Sequence, residues 1–216
     1  MTNFVSFTEG GEVSHVDHLV FTLVAPAADT GSVTSLISKS LKGLATGVAA
    51  RFDSDPLIDY RAQRPLMNFR NGRLVGMRRD GIVLSHATDV EGHRFLHLNG
   101  TEPDFQWDAL LADILDVIER FGVTRTYSFT AVAATTPHTR PADMVVRQTV
   151  PDPGRVVLEA DFWFPASFAD YVEFHLGKLG GVSHTNVAVR VPMYLAGHQF
   201  SSGAAGVLGL MSSLSG

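Results

Sequence analysis

The sequence predicts an α/β protein, a three-layer α/β/α sandwich with a mostly parallel mixed sheet and a small antiparallel hairpin flap. Three observations predict this class. The chain has 216 residues, 45% apolar and 18% charged, which suits one α/β domain over residues 1–216. Apolar runs typical of strands alternate with helical apolar stripes, and short segments join them. A sequence pattern typical of a β-hairpin interrupts this alternation of strands and helices at one place.

The first strand–helix–strand unit lies near the N-terminus. His18 to Ala25 is a nearly continuous apolar run, which is typical of a strand buried on both faces. Asp29 to Ser32 then offers helix caps. Apolar residues follow at helical spacing, namely Val33, Leu36, Ile37, Leu41 and Leu44. Thr46 to Phe52 returns to strand character and completes the unit.

The hairpin signal is Asn71-Gly72, between the apolar runs Leu66 to Phe69 and Leu74 to Met77. Asn-Gly suits the two-residue turns whose twist matches that of paired strands. We therefore expect an antiparallel flap here. Ile82 to Ala87 predicts a further strand after it.

A second strand–helix–strand unit starts with a predicted strand at Arg94 to Leu98. Pro103 suits the first turn of the next helix and Gly122 its left-handed stop, so a length of about 27 Å is expected. One apolar stripe runs along this helix, through Trp107, Leu110, Leu111, Ile114, Leu115, Ile118 and Phe121. Thr126 to Ala133 is the returning strand, and the usual right-handed crossover makes the two strands parallel.

The last third of the chain predicts three strands and two helices. In chain order they are strands at Met144 to Val150 and Val156 to Ala160, a helix at Ser167 to Leu179, a strand at Asn186 to Val191 and a helix at Tyr194 to Leu214.

Composition excludes several classes of function. Seventeen basic and 22 acidic side chains give a net charge of -5, so no positive field attracts nucleic acid. The absence of cysteine excludes a thiolate nucleophile and Cys-ligated zinc. No apolar run is long enough to span a bilayer, and Met1 to His15 lacks the pattern of a signal peptide. We expect a cytoplasmic protein without a membrane or nucleic-acid partner.

Polar loops with prolines follow the predicted parallel strands, and such strands place their carboxyl ends at one edge of a sheet. We call these loops, residues 53–65, 99–104, 135–141 and 192–194, the rim. Open α/β sheets usually bind ligands at this edge. Eight rim residues form the predicted ligand- or partner-binding site, and they are Asp59, Tyr60, Arg61, Arg64, Glu102, His138, Arg140 and Tyr194. The set fits an anion or the end of a peptide.

A purely structural role for the rim is the alternative. Arg64 or Arg140 would then pair with Glu102 and lock the loops together. Arg140 would be an interior contact on either reading, so we expect Arg140→Ala to destabilise the protein more than Arg73→Ala in the hairpin.

No metal, cofactor or catalytic residue is predicted. His15 with His18, and His93 with His97, each lack a third ligand at a useful spacing. The sequence holds neither a Gly-x-Ser-x-Gly elbow nor a phosphate-binding P-loop motif. An enzyme is therefore less expected than a protein without catalytic activity.

Four blocks in the rim resemble the signatures of the proteasome assembly chaperone family, in its actinobacterial branch. They occur in the family's order, within a resemblance from about Val20 to Leu210. The blocks are Asp59-Tyr60-Arg61 with Arg64-Pro65, Gly100-Thr101-Glu102-Pro103-Asp104 with Trp107, Pro137-His138-Thr139-Arg140-Pro141, and Val191-Pro192 with Tyr194-Leu195.

The resemblance implies a sandwich similar to purine nucleoside phosphorylases and self-association, commonly as a trimer. In eukaryotes it implies a chaperone that helps to assemble the proteasome α ring. Met193 replaces the histidine usual in the family's last block. Bacterial relatives often continue with extra helices, so Ala204 to Leu214 is either a shortened element or an oligomer contact.

Two functions remain open at this point. The first is a non-catalytic protein-binding or assembly factor that works as a homo-oligomer. The second is an enzyme or sensor for a small anionic or nucleoside-like ligand, with Arg61 and Arg140 as anion clamps and His138 as acid or base. The second rests on an analogy of fold, which does not establish function.

Overall fold

The computed structural model describes residues 4–8, 15–25, 28–150 and 161–215. Its helices are α1 (Val33–Lys42), α2 (Trp107–Phe121), α3 (Phe168–Leu179) and α4 (Ser201–Ser215). Its strands are β1 (Val5–Phe7), β2 (His18–Val24), β3 (Ala45–Phe52), β4 (Leu66–Arg70), β5 (Arg73–Arg78), β6 (Val83–Thr88), β7 (Arg94–Thr101), β8 (Arg125–Ala134), β9 (Met144–Gln148) and β10 (Ser183–Pro192).

Eight strands form one mixed sheet in the order β1-β3-β6-β7-β2-β8-β10-β9. The central neighbours β7, β2, β8 and β10 are parallel, and β6 is antiparallel to both β3 and β7. Five strands, β3 included, therefore run in one direction, while β1, β6 and β9 run in the other. The mostly parallel mixed sheet is confirmed.

The helices cover both faces of this sheet, which confirms the three layers. The buried side chains of α2 and α3 share one apolar cluster, whereas those of α1 and α4 share the other. Neighbouring residues of β2 enter opposite clusters, Leu19 joining the first and Val20 the second. The continuous apolar run of β2 thus reflects burial on both faces.

The predicted caps of two helices are present. The Asp29 carboxylate accepts the N–H groups of Thr34 at 2.9 Å and Ser35 at 3.0 Å, at the start of α1. Gly122 ends α2 with φ 67°, the left-handed geometry that glycine adopts most easily. Pro103 is not in the first turn of α2, because Gln106 adopts φ 60° and the helix begins only at Trp107. Its 15 residues span about 22 Å.

The C-terminal helix begins later than predicted, because the residues before it form hydrogen bonds with a distant part of the chain. The Gly31 N–H donates to Ala196 O, and the Phe200 N–H donates to Gly31 O, both at 2.8 Å. These bonds hold residues 196–200 against the turn before α1, and α4 starts at Ser201. The predicted strand Val156 to Ala160 lies outside the described residues, and the short strand β1 was not predicted.

The flap is present as a two-stranded antiparallel sheet of β4 and β5, separate from the large sheet. Its turn is Asn71-Gly72, and both residues have positive φ, at 49° and 79°. Within the described residues, no helix is long and apolar enough to cross a membrane.

Candidate functional site

The rim loops leave the sheet at one edge, because the strands that precede them all run in the same direction. Strand order nevertheless spreads them along this edge. The loops after β3 and β10 lie five strands apart, which is roughly 24 Å at the usual strand spacing. The eight predicted residues therefore do not converge on one point.

One group of rim contacts joins the loop after β3 to the loop after β7. The Asp104 carboxylate accepts the Asp59 N–H at 2.7 Å and the Gln63 side-chain amide at 3.0 Å. The Tyr60 hydroxyl donates to Asp55, and this hydrogen bond, with the nearby Arg79 guanidinium, lowers the pKa of Asp55. These contacts fix the backbone of both loops.

Glu102 connects the same group to α3. Its Oε1 accepts the backbone N–H of Phe168 at 2.5 Å, at the first residue of the helix. Burial raises the pKa of Glu102, although the Phe168 N–H favours the charged form. Glu102 therefore serves as a helix-terminus acceptor here, which is a structural role.

A second group joins the loop after β8 to the turn after β10. The Tyr194 hydroxyl accepts the His138 backbone N–H at 2.8 Å and lies 2.7 Å from the His138 Nδ1. Both side chains are exposed at this point of the rim. The structure thus divides the predicted site into a group with Asp59, Tyr60 and Glu102, and a pair of His138 and Tyr194.

The three predicted rim arginines, Arg61, Arg64 and Arg140, are exposed. Within the described residues none of them forms an ion pair, so the expected pairing of Arg64 or Arg140 with Glu102 is wrong. The reason is that Glu102 faces the start of α3 instead. Whether the eight residues bind a ligand stays a prediction.

This exposure changes the expected stability of the arginine variants. Arg140→Ala and Arg73→Ala should each change the free energy of unfolding by less than about 0.5 kcal/mol, because both side chains are exposed. Urea unfolding of the two variants beside the wild type measures this. A clearly larger loss for Arg140→Ala would show that the side chain has a structural partner.

Histidines of the two candidate metal pairs lie in different environments. His15 and His93 are exposed beside Asp17 and Asp89, whereas His97 is fully buried with its Nε2 2.6 Å from the Thr22 hydroxyl. No group of three or more His, Asp or Glu side chains within the described residues is placed to hold a metal ion.

Two buried histidines make the stability depend on pH. Burial lowers the pKa of His97 to about 4 and that of His184 to about 3, from 6.5. Below about pH 6.5 both histidines are protonated in the unfolded chain but stay neutral in the folded chain. The free energy of unfolding therefore falls as the pH drops from 6.5 towards 4. Glu102 and Asp113 act in the opposite direction, because burial raises their pKa values.

We expect the histidines to cost on the order of 3 kcal/mol of folding free energy between pH 7 and pH 5. Urea unfolding at several pH values measures the slope. His97→Gln should reduce this slope by about one proton, since the glutamine does not titrate. Stability that is constant over this range would contradict the expected protonation.

The hairpin of β4 and β5 exposes several large apolar side chains. Every residue of both strands is exposed. Met67 faces Met77 across the pair, and Phe69 faces Leu74. Six large apolar side chains are between 51% and 68% exposed, namely Leu66, Met67, Phe69, Leu74, Val75 and Met77. We call residues 66–78 the apolar hairpin.

A second apolar surface precedes α3. Trp163 is 98% exposed, between the exposed Phe162 and Phe164. Phe162 and Phe164 line a cavity of about 750 Å³ between this segment and β8, β9 and β10. Arg147 of β9 lies behind it, where the guanidinium binds Asp170 and, at 2.7 Å, Glu173 of α3. We call residues 162–164 the aromatic segment.

Sequence reasoning missed a polar cleft of about 1080 Å³ beside α1. None of the eight predicted residues lines it, and of the eight only Glu102 lines the cavity near the aromatic segment. One sequence signal pointed to the cleft, since Lys39 and Lys42, three residues apart on α1, are two of the three lysines in the chain.

The PAC2 family profile matches residues 23–216. No curated protein matches the chain. A crystal structure of a protein of unknown function from Corynebacterium glutamicum is 26% identical, with a TM-score of 0.84 over 95% of this chain and 78% of that one.

Two mycobacterial structures are also similar. The unknown function protein Rv2714 of Mycobacterium tuberculosis is 25% identical, with a TM-score of 0.87 over 99% of this chain and 76% of that chain. The proteasome-assembly chaperone homologue Rv2125 of the same organism is 19% identical, with a TM-score of 0.81 over 91% of this chain and 84% of that chain, which shows the shared fold.

Proposed function

The chain belongs to the PAC2 family, and from this membership we propose that it is a non-catalytic protein-binding or assembly factor, similar to proteasome assembly chaperones, that works as a homo-oligomer. The proposal includes a cytoplasmic location and one domain over residues 1–216. The apolar hairpin is the observation that carries it.

We propose that the exposed side chains of the apolar hairpin are buried in a stable interface. A two-stranded hairpin is marginally stable on its own in water. The six exposed apolar side chains present on the order of 600 Å² in total over the two faces of the hairpin, so both faces together approach the roughly 800 Å² that each partner contributes to a standard interface. Other copies of the chain are present wherever the protein is present. We therefore propose that self-association buries the apolar hairpin. The family resemblance implies that the oligomer is a trimer.

The aromatic segment is the surface proposed for a protein partner. It lies beside β8, β9 and β10, in one half of the sheet. The apolar hairpin connects β3 to β6, which belong to the other half. Tryptophan is enriched among the anchors that carry most of the binding energy of an interface, and phenylalanine is enriched in interfaces in general. Self-association and partner binding therefore use separate surfaces.

Affinity capture from native cell lysate tests the protein-binding role. The wild type should recover a stoichiometric protein partner at moderate salt, and Trp163→Ser should lose it. Val90→Ser is the matched control, since Val90 is 95% exposed but belongs to neither surface. Recovery of the oligomer alone from several such lysates would count against an assembly role.

A further inference from the structure

The cleft beside α1 lies at the carboxyl ends of three strands. Val24 ends β2, Phe52 ends β3 and Thr101 ends β7, and all three line the cleft. The helix after β2 covers one face of the sheet and the helix after β7 covers the other. Connections that leave adjacent parallel strands for opposite faces open a crevice, and open α/β sheets bind ligands there. We call this cavity the α1 cleft.

The lining of the α1 cleft has an excess of positive charge in a chain whose net charge is -5. Its five basic side chains are Lys39, Lys42, Arg51, Arg78 and Arg79, and its three acidic ones are Asp29, Asp53 and Asp80. Two of these acids accept backbone N–H groups, Asp29 at the start of α1 and Asp53 from Asp55. Arg79 pairs with Asp55 at 2.8 Å, and the other four cations have no ion pair within the described residues.

Hydroxyl groups form much of the remaining wall. Ser32, Ser35, Ser38 and Ser54 line the cleft, with Thr101 and the amide of Asn99. Ser38 is only 4% exposed, and its Oγ has no hydrogen-bond partner within the described structure. That oxygen has almost no accessible surface, so Ser38 belongs to the wall of the cleft but its hydroxyl does not contact a bound molecule.

This lining selects a class of ligand. The aromatic side chain of the lining is Phe52, which is 5% exposed and offers no face on which a nucleobase could stack. Unpaired cations suit a phosphate, and serine and asparagine groups suit the hydroxyls of a sugar. We propose that the α1 cleft binds a small phosphorylated polyol of the sugar phosphate type, with the unpaired cations of its lining, Lys42 and Arg51 among them, binding the phosphate groups. The site lies within one chain and does not rest on the proposed assembly function.

Isothermal titration of the purified full chain at low salt tests this proposal. The probes are glucose phosphate, fructose bisphosphate, glucose, inorganic phosphate, AMP and a glutamate-rich peptide. We expect one sugar phosphate to bind per chain, with fructose bisphosphate the tightest and glucose without measurable binding.

Two variants and one control locate the site. Lys42→Gln and Arg51→Gln should each raise the Kd for fructose bisphosphate about tenfold, because each removes a charged hydrogen-bond donor. Arg94→Gln removes an exposed charge that lies outside both the α1 cleft and the apolar hairpin, and it should leave the Kd unchanged.

Several results would overturn the site. Tighter binding of AMP would assign the cleft to nucleotides, and tighter binding of the glutamate-rich peptide would assign it to a protein partner. An equal loss of affinity on Arg94→Gln would show diffuse electrostatic attraction. Absence of binding by any sugar phosphate would also refute the proposal, while leaving the assembly function and its capture experiment unaffected.

Discussion

Replacing Gly100 by alanine is expected to destabilise the fold by about 4 kcal/mol, from backbone strain together with overpacking. Gly100 has φ 153°, which side chains other than hydrogen rarely permit. An ideal Cβ at this position lies 2.4 Å from the Gly81 carbonyl oxygen and 2.8 Å from the Ile82 Cα. Both obstacles are backbone atoms, so relief requires a shift of the chain that leads into β6.

Gly47→Ala is the matched control for Gly100→Ala. Gly47 lies in β3, and an added Cβ there meets no atom within 4 Å. We expect this variant to differ from the wild type by less than about 0.5 kcal/mol in urea unfolding. Equal stability of the two alanine variants would show that the close approach of Gly100 to Gly81 does not constrain this end of the sheet.

The double variant Phe69→Lys with Leu74→Lys is expected to convert the protein to a monomer. The two residues lie opposite each other in the apolar hairpin and are 68% and 64% exposed. Two adjacent charges within the proposed interface would have to be buried without partners, which is strongly unfavourable. The monomer itself should stay folded, since neither side chain belongs to a buried cluster.

Sedimentation velocity measures the mass of this double variant. Val90→Lys adds a charge at an exposed valine outside the hairpin, and its mass should equal that of the wild type. A double variant that keeps the mass of the wild type would show that the hairpin does not mediate self-association.

The layers of the fold were predictable because buried faces of helices and strands require apolar residues at regular spacings in the sequence. The stripe from Trp107 to Phe121 indicates a helix with one face on a sheet, and the run from His18 indicates a strand covered on both sides. Capping residues such as Asp29 and Gly122 act within a few residues of their own position. Both features are local, so one sequence suffices to predict them.

Side-chain partners at the rim were not predictable in the same way. Arg140 and Glu102 lie in loops whose relative position depends on strand order, and Glu102 accepts an N–H from α3, 66 residues away. The late start of α4 depends on the hydrogen bonds of Gly31 with Ala196 and Phe200. The α1 cleft likewise joins residues of α1, β3 and β5 that no spacing in the sequence connects.

Sedimentation equilibrium of the wild-type protein over a dilution series tests most directly whether another copy of the chain covers the apolar hairpin. A single species whose mass is an integer multiple of 23.3 kDa, three copies if the family resemblance holds, is the expected result. A soluble, folded species of 23.3 kDa at every concentration would contradict it.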